Sequence, residues 1–509
     1  MASGTRATLP AWVALAVLAA YGVACVGFFA RDVFMPEWDS AVYVLLGRAL
    51  ALGEGYTYLG EPYFLRPPGI PWLLSWVMPD GEFDPLRVNR LLLLFVPTAL
   101  AAIWFALSPR LGTWMALAVA LLSGTHPMLV GLFNWIYAEF PFLTFLFLSM
   151  AFFERATSRE GGGGSLAIAA AICLSVAIYL RSAGIVLLPG MLLLGWARRR
   201  ERGLLRAVLP VLLCLALITP WFLWARLAAA GAETPVGQML NYDYFSALFR
   251  ADPGNPASPL VPVSAWIARI TRNCQLSLLE LAETSFGVPW AWLSVLVAVV
   301  LIVGPLVALR RGISILEWYT LAYVGMALTW LLYAYRLVIP LVPALYLYLF
   351  VLVAALASLA ERVLRVGCVR PACASLFLLL FALNLLQLPI GLDVRNWASP
   401  GFLNSWSDSE AVARWIRENT ASDAVLVSGR APIYAALTGR RVYTYDFQHR
   451  FPGDPDRYRR YDPDFLIIDR PGPRSREFEA RAAPALRLQA VLPSRLRREG
   501  IRIYAPPPD

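Results

Sequence analysis

The chain contains no lysine, so all 44 of its basic residues are arginine. Base-composition bias of the source is the simpler cause, but the chemical consequence is the same. Any anion clamp here must be built from guanidinium forks, whose planar donors match phosphate in pairs. Histidine is nearly absent, with only His126 and His449, which argues against histidine-rich metal sites and His-centred triads. Six cysteines (Cys25, Cys173, Cys214, Cys274, Cys368 and Cys373) occur mostly in or beside apolar runs, without the paired spacing of a zinc site or a disulfide framework. Charge is scarce as well. Charged residues make up 15% of 509 and hydrophobic ones 59%, with a mean hydropathy of +0.59. That is too little polar surface to cover a soluble globule of this size. The net charge of +10 is spread in short clusters between apolar runs, a pattern that speaks against a nucleic-acid partner.

What is present instead is a series of apolar runs, which makes the chain a polytopic α-helical membrane protein. About eleven runs approach the roughly twenty residues needed to span the hydrocarbon core. Their approximate cores are 11–30, 91–107, 111–130, 133–153, 165–181, 183–197, 204–225, 289–309, 314–334, 337–358 and 374–392. The short pair flanking Arg181 has the length of a re-entrant element. The first run is read as a retained helix, because it has no clear small-residue cleavage site and similar runs follow it. With the N-terminus inside, the inner loops collect Arg110, Arg155, Arg159, Arg198–Arg200, Arg202, Arg206, Arg310, Arg311, Arg362, Arg365 and Arg370, which satisfies the positive-inside rule. The outside then receives loops 31–90 and 226–288 and everything after about residue 393. Four glycines, Gly161–Gly164, read as a flexible inner linker.

The composition changes near residue 393, dividing the chain into a membrane domain, 1–392, and a soluble extracytoplasmic domain, 393–509. Ser407–Asn419 has helical spacing, Ala424–Ser428 and Phe465–Asp469 read as buried strands, and Arg441–Tyr445 and Ile501–Tyr504 are shorter candidates. This predicts a small α/β domain. It carries no G-x-S-x-G elbow and no dinucleotide fingerprint.

The chemistry-bearing stretch runs from Met35 to Trp72 and holds Asp39, Glu61 and Arg66. On the predicted topology Glu139 lies near the outer end of its helix, and Arg181 and Arg336 sit at outer turns, so all six converge on one face. Charges at the rim of apolar segments line a cavity or pair with one another. Each also has a plainer reading. Asp39 could cap an amphipathic helix over Ser40–Leu52 lying on the membrane, Arg181 and Arg336 could snorkel to headgroups, and Glu139 could serve as a structural partner for one of them. Glu61 is divided between a solvated turn and the site. Taken together, two acids and several arginines suit transfer from a lipid-linked phosphate donor: guanidinium forks hold the leaving phosphate and a carboxylate takes the proton of the attacking hydroxyl. In the second loop Tyr242, Asp243 and Tyr244, beside Arg269 and Arg272, could touch sugar or acceptor, but a solvated or headgroup-facing role is the plainer reading.

Five motifs carry a resemblance: PEWDSAVY, GEPYFLRPPGIPWL, AEFPFLTFLFL, YLRSAGIVLLPG and YRLVIPLVPALY. With them the chain resembles the bacterial polytopic glycosyltransferases of the GT-C fold, the group that contains the aminoarabinose transferases of lipid A and the protein O-mannosyltransferases. The tail from Ser409 to Tyr445 is similar to the outer domain that follows in that family. The resemblance implies that Asp39 is the catalytic acidic residue of the first outer loop and Glu139 the second acid of the site. It also implies that Arg66 and Arg336 contact the donor phosphate. Arg181 joins them on topology, and Tyr43, Glu61 and Tyr63 are assigned to substrate contact. At Leu65 the chain departs from the lipid A branch, where a glutamate that can contribute to metal binding is common. No cofactor is therefore assigned, and a divalent metal is disfavoured. The expected partners are a polyprenyl-phosphate sugar, membrane lipid, and a glycan, lipid or protein acceptor at the outer face of a bacterial inner membrane. The competing reading is a transporter or flippase of lipid-linked sugars, against which stand the lack of a convincing internal repeat and of midplane charges.

Overall fold

The computed structural model describes residues 10–35, 37–157, 164–199, 204–230, 248–250, 259–288, 290–310, 312–330, 335–365, 367–395, 400–444, 459, 461–469, 473–495 and 500–507. Tyr242, Asp243 and Tyr244 lie outside these residues, as do residues 158–163 with most of the expected glycine linker. The chain is mainly helical, and among the described residues seven helices are long and apolar enough to cross a membrane. The other four of the eleven expected segments form shorter helices, Thr113–Thr125, Gly164–Leu180, Leu187–Ala197 and Ile315–Thr329.

Helix α1 (Ala11–Phe29) leads to α2 (Trp38–Ala51), a hairpin of β1 (Thr57–Tyr58) and β2 (Glu61–Pro62), and α3 (Gly69–Ser75). Leu59 and Gly60 connect the two strands with positive φ at both positions, the twist a two-residue hairpin turn requires. Helix α2 lacks the lipid-facing side that the plainer reading of Asp39, a capped amphipathic helix on the membrane, requires. Ser40 to Val44, Leu46, Gly47 and Ala49 are all buried, packed against α3 and against a helix of the C-terminal part. Its apolar positions surround the helix rather than forming one stripe, so no face remains for lipid.

The bundle continues through α4 (Pro85–Leu93), α5 (Phe95–Leu111), α6 (Thr113–Thr125), α7 (Pro127–Val130), α8 (Glu139–Thr157), α9 (Gly164–Leu180) and α10 (Leu187–Ala197). Helix α8 is largely buried against α5 and α9. Next come α11 (Leu204–Ala230), α12 (Val263–Phe286), α13 (Ala291–Leu309), α14 (Ile315–Thr329), α15 (Val342–Leu364) and α16 (Val369–Arg395). Much of the second expected loop, 226–288, is therefore the 24-residue helix α12. Its charged residues sit on one face of an otherwise regular amphipathic repeat, which lowered its mean hydropathy without breaking the helix.

Close helix approach depends on small residues. A Cβ on Gly190 would fall 2.1 Å from the Trp318 ring, and one on Gly304 would fall 2.3 Å from Tyr348 Cβ. Gly69 is tighter in kind, because its Cβ would meet backbone, 2.5 Å from the Tyr179 carbonyl oxygen. It opens α3 directly after Arg66-Pro67-Pro68. Gly69→Ala is expected to destabilise the protein by about 1–3 kcal/mol, the usual range for overpacking, and to shift the Arg66 turn. A thermal melt in detergent checks this, and an unchanged melting temperature would contradict the close approach.

At one end of the bundle the arginines expected to face inward hold helix ends together. Arg110 binds Glu317 at 2.6 Å, Ser314 at 2.9 Å and the Gly312 carbonyl at 3.1 Å, over a capping box of Ser314 and Glu317 that starts α14. Arg198 binds Glu154 at 3.0 Å and Thr157 at 2.7 Å. Glu139 opens the other end of α8, about 22 Å from Glu154 at 1.5 Å per residue.

In the C-terminal part, α17 (Pro400–Asn419) precedes a five-stranded mixed sheet. Its strands are β3 (Val425–Ser428), β4 (Arg441–Thr444), β5 (Phe465–Ile468), β6 (Arg487–Leu492) and β7 (Ile501–Ala505), in the order β4-β3-β5-β7-β6. Helix α18 (Ala431–Thr438) links β3 to its parallel neighbour β4. The four expected strands form. The edge strand β6 was not anticipated, because its two faces are both partly exposed and it has no clean alternation.

Candidate active site

Five of the residues singled out in the sequence form one continuous chain of ion pairs. Arg66 Nη2 donates to Asp39 Oδ1 at 2.5 Å, and Arg336 Nη1 donates to Asp39 Oδ2 at 2.8 Å. Arg336 Nε then donates to Glu139 Oε1 at 3.0 Å, and Arg181 Nη1 to the same oxygen at 3.0 Å. Three guanidiniums against two carboxylates leave one positive charge.

Local structure accounts for each position. Asp39 stands in the first turn of α2, where the helix dipole favours an acid. It does not cap the helix: the N-cap is Glu37, and the Asp39 side chain is given over to the two arginines. Arg66 is held at the mouth of α3, where the Tyr56 hydroxyl donates to the carbonyls of Arg66 at 3.0 Å and Pro67 at 3.3 Å. Glu139 begins α8, Arg181 follows α9, and Arg336 lies in a short 3-10 turn ahead of α15. Neither Arg181 nor Arg336 extends away to headgroups. A buried carboxylate draws each inward, because leaving Glu139 unpaired would be more costly than ordering the two side chains.

Exposure separates the two acids. The Glu139 side chain is 1% exposed and that of Asp39 is 24% exposed, so Asp39 is the carboxylate that an incoming group can reach. Burial pushes the Asp39 carboxyl up, but the charges of Arg66 and Arg336 outweigh it and hold the group down at about 2. Its contribution to stability is thus fully present above its ordinary value near 4 and is lost only as the pH falls through about 2. Burial works against charge on Arg336 too, and there Glu139 and Asp39 prevail and push it up.

Tyr43 belongs to this group, with its ring centroid 5.6 Å from the Arg66 guanidinium. Tyr63 and Glu61 do not meet the chain of ion pairs. Tyr63 is buried with Val42, Leu46 and Tyr58, its ring 5.9 Å from that of Tyr56. Glu61 lies in the hairpin, where its charge acts on Tyr443 of β4, and among the described residues it forms no ion pair with the three arginines. Arg269 turns to the Leu248 carbonyl instead.

Three aromatic residues were missed. Tyr137 puts its ring centroid 3.7 Å from the Arg336 guanidinium, a cation–π contact. Tyr323 is fully buried and close enough to Arg181 and Glu139 for their charges to act on it. Tyr56 supports the Arg66 turn and packs against Trp221 and Trp224 of α11 at 5.6 and 6.1 Å. Tyr137 stands two residues before Glu139 and was within reach of the motif. Tyr323 sits in the middle of an apolar helix and carries no local signal.

The donor set does not fit a divalent cation. Both oxygens of Asp39 and one of Glu139 are taken by guanidiniums, and among the described residues no group of three or more His, Cys, Asp or Glu side chains comes together.

No protein-family model matches the chain, and no curated protein matches it. Solved structures do. The crystal structure of ArnT from Cupriavidus metallidurans bound to undecaprenyl phosphate has a TM-score of 0.61 at 14% identity, covering 98% of this chain and 99% of that one. The same protein in the apo state gives 0.60 at 14% identity, with the same coverage. The archaeal oligosaccharyltransferase AglB from Archaeoglobus fulgidus, in complex with an inhibitory peptide and a dolichol-phosphate, has a TM-score of 0.53 at 11% identity, covering 90% of this chain and 69% of that one. The chain has the GT-C fold. Within this GT-C fold the ion pairs join the first turn of α2 and the mouth of α3 to the start of α8, the end of α9 and the turn before α15.

Proposed function

We propose that the chain is a membrane glycosyltransferase that moves a sugar from a polyprenyl-phosphate donor to an acceptor on the extracytoplasmic face of a bacterial inner membrane. Residues 1–392 act as the catalytic domain and 393–509 as the outer domain. The observation that carries this reading is the chain of ion pairs, with one uncompensated positive charge and one reachable carboxylate. Two relatives in fold, solved with undecaprenyl phosphate and with dolichol-phosphate, support the donor class.

The acceptor hydroxyl oxygen attacks the anomeric carbon of the donor sugar. The new carbon–oxygen bond forms as the bond from that carbon to the phosphate oxygen breaks. The electron pair leaves with the phosphate, whose growing charge Arg66 and Arg336 neutralise. The hydroxyl proton passes to Asp39. Glu139 touches neither the attacking nor the leaving oxygen in this step; it fixes Arg336 and Arg181 from behind.

Asp39 paired to two guanidiniums is a weak base. A phosphate that enters takes part of those N–H bonds and brings its own negative charge, and both effects raise the Asp39 carboxyl toward a useful value. The base is therefore made competent by the donor it serves.

Purified full-length protein in detergent, given the polyprenyl-phosphate-sugar fraction of the source membranes and an envelope acceptor extract, is expected to release polyprenyl phosphate in step with sugar transfer. A lipid flippase would leave the donor intact. The rate is expected to be the same with and without a chelator, since the carboxylates are committed to arginine. Loss of turnover in chelator, restored by a divalent metal, would overturn the arginine-only site.

A further inference from the structure

The C-terminal part does not pack as a separate module. One hydrophobic core runs from the helical bundle, where it contains Leu100 and Phe147, into the sheet domain, where it contains Leu426, Tyr434 and Ile503. Helix α2 stands at the junction. Phe34, fully buried just ahead of α2, meets Trp406 of α17 with ring centroids 6.3 Å apart. Near the other end of α2, a Cβ on Gly439 would fall 3.1 Å from Arg48 Nη1. The Arg48 guanidinium therefore sits at the C-terminus of α18, where the helix dipole favours a cation.

A second, smaller cluster ties this junction to the ion pairs. Val42, Leu46, Tyr58 and Tyr63 are buried together. Val42 and Leu46 follow Asp39 by three and seven residues in α2, so all three share one face of the helix. Phe64 and Leu65, the two residues before Arg66, pack against the same cluster. It thus supports both partners of the ion pair, Asp39 through its helix and Arg66 through the chain leading to it. Tyr56 adds a direct tie, with its ring 5.9 Å from that of Tyr63 and its hydroxyl donating to the Arg66 and Pro67 carbonyls. The C-terminal sheet contributes Tyr443 of β4, which packs on the cluster and is itself stacked on Tyr461 at 4.4 Å and 3°.

The ion pair has little slack. Arg66 Nη2 lies 2.5 Å from Asp39 Oδ1, and a drift of about 1 Å between α2 and the Arg66 turn carries it past hydrogen-bond length. Misplacement of that size costs about 100-fold in rate even when its origin is far from the chemistry. A hairpin of two-residue strands has almost no stability of its own. Its shape depends on what packs against it.

Resting on the transferase reading above, we infer that Tyr443 is a positioning residue of the active site: through Tyr58 and Tyr63, the C-terminal sheet braces the hairpin against the Asp39 face of α2 and holds Arg66 at the donor phosphate. Tyr443 acts through the hairpin and Arg66, not on the substrate itself.

The test is a double-mutant cycle on the full-length protein in detergent, read as undecaprenyl phosphate affinity by native mass spectrometry. Tyr443→Leu keeps apolar bulk and removes the flat ring. Tyr56→Phe removes only the hydroxyl that holds the Arg66 turn. Each is expected to weaken binding about tenfold, or ~1.4 kcal/mol, when Arg66 is present. In an Arg66→Gln background, where Arg336 remains to bind the phosphate, each is expected to change affinity by less than about twofold, because the residue it positions is gone. Tyr443→Phe, which keeps the ring, is expected to bind as the wild type does. Equal losses in both backgrounds would mean that Tyr443 supports the fold in general, and would overturn the inference. So would a loss confined to Tyr56→Phe, because the hairpin would then hold Arg66 without the C-terminal sheet. If Tyr443→Leu does not give monodisperse protein, Arg48→Met replaces it; this variant loosens α18 from the α2 side, leaves the sheet intact and is judged by the same outcomes. Failure of the wild type to bind undecaprenyl phosphate would overturn the transferase reading together with this inference, and it is visible before any variant is compared.

Discussion

Asp39→Asn is expected to abolish sugar transfer while leaving polyprenyl-phosphate binding intact or tighter. The substitution keeps the shape of the side chain and removes its charge. The chain of ion pairs then carries two uncompensated positive charges instead of one, which favours an incoming phosphate. What is lost is the proton acceptor, and removal of a positioned general base costs about 10²- to 10⁴-fold in rate. The asparagine still accepts from one guanidinium, but its amide nitrogen faces the other. Folding stability therefore falls by about 1.5–3 kcal/mol, the range for hydrogen bonds to charged groups. Transfer of label from the donor lipid, measured beside undecaprenyl phosphate binding, separates the two effects. Full activity in Asp39→Asn would remove this residue from the mechanism.

Arg336→Gln is expected to be the more damaging change, because it acts on both stability and binding. Arg336 is the link between the acids, giving Nη1 to Asp39 at 2.8 Å and Nε to Glu139 at 3.0 Å. Without it, two carboxylates share two remaining arginines and the positive surplus disappears. Breaking a buried pair by removing one partner costs about 3–5 kcal/mol. The loss of the phosphate clamp should weaken undecaprenyl phosphate binding by about 100-fold or more, equivalent to at least ~2.7 kcal/mol. Arg336→Lys keeps the charge, but a single ammonium lacks the planar fork that spans both acids, so it should restore part of the stability and little of the binding. Wild-type affinity in Arg336→Gln would mean that the phosphate sits elsewhere.

The parts of the site that were legible in the sequence were those advertised by their own surroundings. A charge in or beside an apolar run is conspicuous, and Asp39, Arg66, Glu139, Arg181 and Arg336 all stood out that way. Glu61 and Tyr63 had no such marking beyond lying in the same loop, and the structure separates them from the ion pairs: one faces Tyr443, the other packs beneath the hairpin. Tyr323 shows the opposite failure. A tyrosine within a buried apolar helix resembles ordinary core, and only the arrival of Arg181 and Glu139 from other elements brings their charges to bear on it.

Composition and periodicity alone determined that the chain is a bundle of apolar helices followed by a small mixed domain, and that its anion-binding groups can be only arginine. Those are local or additive properties, set by how many residues fit a membrane span and by which side chains exist at all. The tertiary structure decided the pairing. Arg66 reaches Asp39 across 27 residues and Arg336 reaches it across 297, so their meeting depends on how the helices pack, which no window of sequence contains. The same packing gave Glu139 two guanidiniums on one oxygen and none on the other.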